Sequence, residues 1–212
     1  MICSLISRAR RTHWVAVAAA ILRILIAFAF VPAGLKKLLG QPFTDAHNTG
    51  AFHDFLHAFR ATGWFYNFVG VLQLVIAALL VSQRFALAGA ALAVPVLTAI
   101  VTFCWSTQVY PTATVATLIW LGAIALVAWD YQAWRDRATE VPQVDLALWR
   151  SAGIAVVGMY LIACAAAGEV YRPRGAKPDD PGFYLFPAIL LVPVVTLVVE
   201  QRRRRRSRSD RS

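Results

Sequence analysis

The chain has 212 residues, 59% of them hydrophobic and only 15% charged, with a formal net charge of +10. A soluble domain carries about a quarter charged residues, so the composition argues against one or two soluble domains and for a membrane bundle with little soluble mass. The positive charge is concentrated, with seven arginines in the last eleven residues directly after an apolar run. That placement fits a topology anchor touching anionic lipid headgroups rather than a nucleic-acid surface.

The basic patch Arg8, Arg10, Arg11 precedes the first apolar run, residues 14–35. It mimics a signal peptide, but the run is too long and Arg23 interrupts it. A retained first helix is predicted. The second run is 64–81 and the third is 85–104, joined by Ser82-Gln83-Arg84 alone, which predicts an antiparallel hairpin. The fourth covers about 112–129 and ends at Asp130, the fifth about 146–168, and the sixth about 183–199 before Glu200 and the arginines. Helices of such lengths cross a hydrocarbon core of about 30 Å. The runs do not alternate as barrel strands do. The predicted fold is therefore all-α, a polytopic transmembrane bundle of about six helices.

Between the first two runs lies a long loop, residues 40–63. Within it Phe52, Phe55, Leu56 and Phe59 recur at helical spacing, opposite a polar face of His53, Asp54, His57 and Arg60. This predicts an amphipathic helix too short to span, lying on the outer membrane surface or folded down over the bundle. With a cytoplasmic N-terminus, fourteen basic residues fall on the inner side and six on the outer, with Arg23 inside the membrane. The excess favours both termini inside. Tryptophans and tyrosines cluster near the run ends, as interfacial rings do. Pro32, Pro95, Pro187 and Pro193 fall within runs and are expected to bend them. The chain divides into a basic N-terminus (1–13), a four-helix unit (14–130), a polar connection with two further helices (131–200) and an arginine-rich tail (201–212).

Candidate chemistry is sparse. Arg23 sits deep in the first run, where an intramembrane charge costs at least about 2.5 kcal/mol and normally faces a partner or a wet cavity. It serves either as a site for an anion, a quinone carbonyl or a lipid headgroup, or as half of an ion pair with Asp130 or Glu200. Gln73 lies at similar depth in the second run, which makes Arg23–Gln73 the expected polar centre. His53 and His57 stand at i, i+4, a spacing that can chelate a metal, with Asp45 and His47 as further ligands. The alternative is a solvated histidine face. Cys104 and Cys164 lie toward the outer ends of their helices and are candidates for a disulfide or for two small buried side chains. Arg202, Arg203, Arg204, Arg205 and Arg206 form the lipid-contacting tail. No phosphate-binding loop, nucleophile elbow or bis-histidine haem arrangement is present.

Two stretches, LRILIAFAFVPAGLKKLLG (22–40) and FVGVLQLVIAALLVSQRFALAGAALAVPVL (68–97), resemble the DoxX-like family of small bacterial membrane proteins. The first looks like the family's arginine, small-residue turn and following lysine, and the second like its hairpin with a short basic turn. The resemblance covers about residues 14–130. It implies that Arg23, Lys36 and Lys37 stand at family basic positions, and that Gln73 stands where the family often has a glutamate. That departure weakens any carry-over of proton or quinone chemistry. The resemblance further implies a bacterial inner-membrane location, quinone as a possible cofactor, and a membrane-protein partner or homo-oligomer. The expected function is an accessory subunit of a quinone-linked redox system, non-catalytic by itself. The alternatives are a structural or assembly subunit and a small-solute or ion pathway.

Overall fold

In the computed structural model, residues 12–135, 144–170 and 181–209 are described. They form seven helices in chain order: α1 (His13–Leu38), α2 (Ala51–Ala61), α3 (Trp64–Val81), α4 (Ala86–Ser106), α5 (Tyr110–Arg135), α6 (Leu146–Ala167) and α7 (Pro181–Ser209). All but α2 are long and apolar enough to cross a membrane. The expected all-α bundle of six spanning helices with a short extra helix in the first loop is what the chain forms.

The buried residues follow helical stripes. On α4 these are Ala86, Gly89, Ala90, Ala93 and Leu97, and on α5 they are Ala113, Ala116, Ala123, Leu126 and Asp130. Small residues dominate because lipid gives apolar helices no hydrophobic reason to associate, and close packing must do so instead. The opposite faces are as apolar as the core. Leu118 and Leu121 on α5, Ile154, Leu161 and Ile162 on α6, and Leu190, Leu191, Val194 and Val195 on α7 are all exposed. Such a surface is stable against acyl chains and not against water.

Helix α1 is the centre of the bundle and meets α3, α5, α6 and α7. Its tightest neighbour is α3. A Cβ on Gly70 would lie 2.7 Å from the Leu38 backbone nitrogen and 2.8 Å from the Gly34 carbonyl oxygen. Only glycine permits the two backbones to cross so closely. The prolines at 32, 95, 187 and 193 are carried inside helices that continue through them. The last pair, α6 and α7, packs against α1 through Tyr160 and Phe186, whose rings meet Phe28 at 5.6 and 6.3 Å. The Asp145 side chain accepts a hydrogen bond from the Leu148 amide at 3.1 Å and caps the start of α6.

Helix α2 folds down over the bundle. Phe52 and Phe55 pack on Phe103 of α4 with ring centroids 5.2 and 4.4 Å apart, and Phe59 meets Phe65 and Tyr66 of α3 at 5.7 and 5.1 Å. None of its residues is buried, so this roof is held mainly by its aromatic edge.

Candidate functional site

Two polar centres lie along α1, one near each end of the bundle. The side holding the start of α1, the α3–α4 turn and the end of α7 is called the tail side below, and the opposite side the loop side.

At the tail side, Arg23 (7% exposed) donates to Gln83 Oε1 at 2.9 Å and pairs with the Asp130 carboxylate. A helical side chain leans toward the N-terminus of its own helix. Arg23 therefore reaches toward the tail-side edge, where the α3–α4 turn and the end of α5 supply its acceptors. Gln83 adopts φ +58°, a left-handed conformation that L-residues tolerate at about 1–2 kcal/mol. The strained turn holds its side chain inward against Arg23. Arg23 Nε and Gln83 Nε2 are buried without an acceptor among the described residues.

The expected Arg23–Gln73 centre does not form. Gln73 (2% exposed) accepts instead from Lys37 Nζ at 3.1 Å. The two residues are not level: Gly34 lies against Gly70, and this antiparallel register sets Gln73 opposite the far part of α1 and Arg23 opposite the α3–α4 turn. Arg23 leans out of the bundle, while Lys37, near the helix's far end, leans into it, one turn below the Gly34–Gly70 crossing. The Lys37 ammonium also lies 3.4 Å from the Ala33 carbonyl oxygen and 4.4 Å from the centroid of the Phe43 ring. Lys36 is buried beside it and lies 6.0 Å from the same ring. Tyr66 donates to the Gln41 carbonyl at 2.8 Å and Arg60 to the Gly40 carbonyl at 2.8 Å, tying the loop down over this centre.

A third polar group joins α6 and α7. Glu200 (2% exposed) accepts from Trp149 Nε1 at 2.6 Å and from Arg204 at 3.2 Å, with His13 Nε2 at 3.8 Å. Glu200 is therefore paired, but with Arg204 rather than Arg23. In the tail, Arg203 is bound to Asp145 at 3.1 Å, while Arg202, Arg205 and Arg206 are exposed on a helix that continues to Ser209.

The remaining candidates do not assemble. His53 is engaged with Thr44 Oγ1 at 2.5 Å, and His53, His57, His47 and Asp45 form no ligand group, since no three metal-ligating side chains converge among the described residues. Cys104 and Cys164 are not joined in a disulfide. Sequence reasoning missed Gln83, Phe43 and the Trp149–Glu200 contact. Gln83 carried a signal, as an uncharged polar residue inside a three-residue turn that must approach the bundle. Phe43, in an irregular loop, carried none.

Comparison with protein-family models, with curated proteins and with solved structures finds no match to this chain.

Proposed function

We propose that this chain is a DoxX-like accessory subunit, non-catalytic by itself, of a quinone-linked redox system in the bacterial inner membrane, with both ends cytoplasmic. The observation that carries the reading is the Lys37–Gln73 hydrogen bond at 3.1 Å. Two separate stretches bear the family resemblance, and the lysine of one meets, in the bundle, the family's glutamate position in the other. A membrane-protein partner would cover part of the apolar outer face, quinone would be the redox carrier of the assembly, and the exposed tail arginines would meet anionic headgroups. The test is purification of the full chain in mild detergent. Co-purification with a redox complex in fixed stoichiometry, or a rise in melting temperature with quinone analogues, is expected. A protein that runs alone and ignores quinone analogues overturns the reading.

A second reading, a structural or assembly subunit, is favoured by the Arg23–Asp130 pair, which turns a buried charge of the bundle into a strut. It expects Arg23→Ala to lower the yield of the assembled complex while leaving turnover per complex unchanged. A solute or ion pathway is less well supported. The two polar centres are about 21 Å apart along α1, and Ile24, Ala27, Phe30, Ile76 and Ala77 fill the bundle between them. Solute flux in proteoliposomes would restore that alternative.

A further inference from the structure

Lys37 is 8% exposed, and a buried ammonium is stable only where an anion or a full set of acceptors compensates its lost hydration. Its neighbours offer partial charges only, from one amide oxygen, one distant carbonyl and one aromatic face. Among the described residues no carboxylate lies within 4 Å of its Nζ, whereas Arg23 has Asp130 and Glu200 has Arg204. Lys37 is thus held in place without being neutralised.

Its cover is a single side chain on a loop held at its neighbours Gln41 and Thr44. The Phe43 ring takes the position beside the ammonium that an anion would take, and the ring is itself 36% exposed. Phe43 belongs to the irregular segment 39–50, which turns at Gly40 (φ +63°) and Gly50 (φ +105°), with open space around both α-carbons. Beside it, Leu38 and Leu39 are 42% and 60% exposed and extend the apolar outer face to the edge of the site.

We propose that Lys37, oriented by Gln73 and covered by Phe43, is a binding site for the oxyanion of an anionic amphiphile, a phospholipid phosphate, which displaces the Phe43 ring and pairs with Nζ. The headgroup neutralises the cation, and the acyl chains lie along Leu38 and Leu39. A free phosphate has the same oxyanion but no use for the apolar flank. This inference does not depend on a redox partner.

The chain has only three lysines, Lys36, Lys37 and Lys177, so ¹³C labelling at the lysine ε-carbon gives three resolvable signals. The full chain, delipidated in maltoside micelles, is titrated with phosphatidylglycerol, with diacylglycerol and with inorganic phosphate. The Lys37 signal is expected to shift saturably with phosphatidylglycerol and not with diacylglycerol. A matching shift with inorganic phosphate supports the oxyanion site with a free anion as its source. No shift with either phosphate-bearing probe, or an equal shift with diacylglycerol, overturns the proposal. Lys37→Met, which has no Lys37 signal and is followed by isothermal titration of phosphatidylglycerol into the same micelles, should weaken binding about tenfold, the loss of one charge-assisted hydrogen bond. Phe43→Ala, which keeps Lys37 and removes only its cover, should tighten binding severalfold; unchanged or weaker binding counts against the displacement. Changing Arg202, Arg205 and Arg206 together to Gln should leave the Lys37 shift intact, and its disappearance would place the lipid on the tail and sink the idea.

Discussion

Arg23 and Lys37 sit on the same helix, lean in the same direction and are almost equally buried, at 7% and 8% exposed. The arginine leans toward the nearer edge of the bundle and finds a carboxylate and an amide oxygen. The lysine leans away from its nearer edge and finds an amide oxygen and an aromatic ring. The direction of the Cα–Cβ bond therefore separates a closed, neutral strut from a cation that lacks a counter-charge. A lysine at the start of a spanning helix snorkels out to water, and the same residue at the end of one must first bend back on itself to do so.

The sharpest way to break the contrast is to remove the counter-charge at the closed centre. Asp130→Ala leaves Arg23 buried without a carboxylate and should destabilise the bundle by about 3–5 kcal/mol, read by equilibrium unfolding in mixed micelles. Adding Arg23→Met to that variant should recover most of the loss. If Asp130→Ala alone is silent, the tail-side centre is no more closed than the loop-side one. Trp149→Phe tests a second closed group by removing one donor from buried Glu200, with an expected loss of about 1.5–3 kcal/mol in the same assay. Gly70→Ala tests the crossing that sets Lys37 at its height. Its new methyl would meet backbone at 2.7 Å, and a loss of about 1–3 kcal/mol is expected. Lys37→Met should do the reverse, leaving stability unchanged or raising it by about 1 kcal/mol, since no ion pair is broken. A loss as large as that of Asp130→Ala would show that Lys37 is already neutralised. The smallest effect belongs to the roof. Phe103→Leu should speed hydrogen exchange across α2 while the melting of the six spanning helices stays the same, because α2 buries no residue of its own.

The spanning helices were legible because each apolar run approaches bilayer length, and α2 because its phenylalanines recur at helical spacing. The end of the last helix was harder to read. Composition separates an apolar run from an arginine tail, yet the backbone hydrogen bonds of α7 continue through both to Ser209. The polar centres were half legible. Asp130 stood out as the first charge after its run and as a partner for Arg23, and it falls on the buried stripe of α5. Gln73 looked level with Arg23 when depth was counted in residues. Such counting leaves out how far one helix is slid along its neighbour, which the Gly34–Gly70 crossing sets, and arginine and lysine then carry their charges a helical turn or more from their α-carbons, in a direction set by chain polarity. Glu200 was also named as a partner for Arg23. Of its actual neighbours, Arg204 stands four residues along the same helix, a spacing the sequence already shows, whereas Trp149 follows from the α6–α7 pairing, which no local pattern encodes.

The continuous helix of α7 has one more consequence. Its 29 residues extend about 43 Å, against a hydrocarbon core of about 30 Å. The excess is a rigid post studded with arginines instead of a slack tail. A rod of this kind fixes a waterline. Sinking by one turn would draw guanidinium groups into the acyl chains, and rising by one turn would lift leucines and valines into the headgroups. Thickness mismatch must then be met by tilt or by deformation of the surrounding bilayer, so the protein should distribute among membranes according to their thickness.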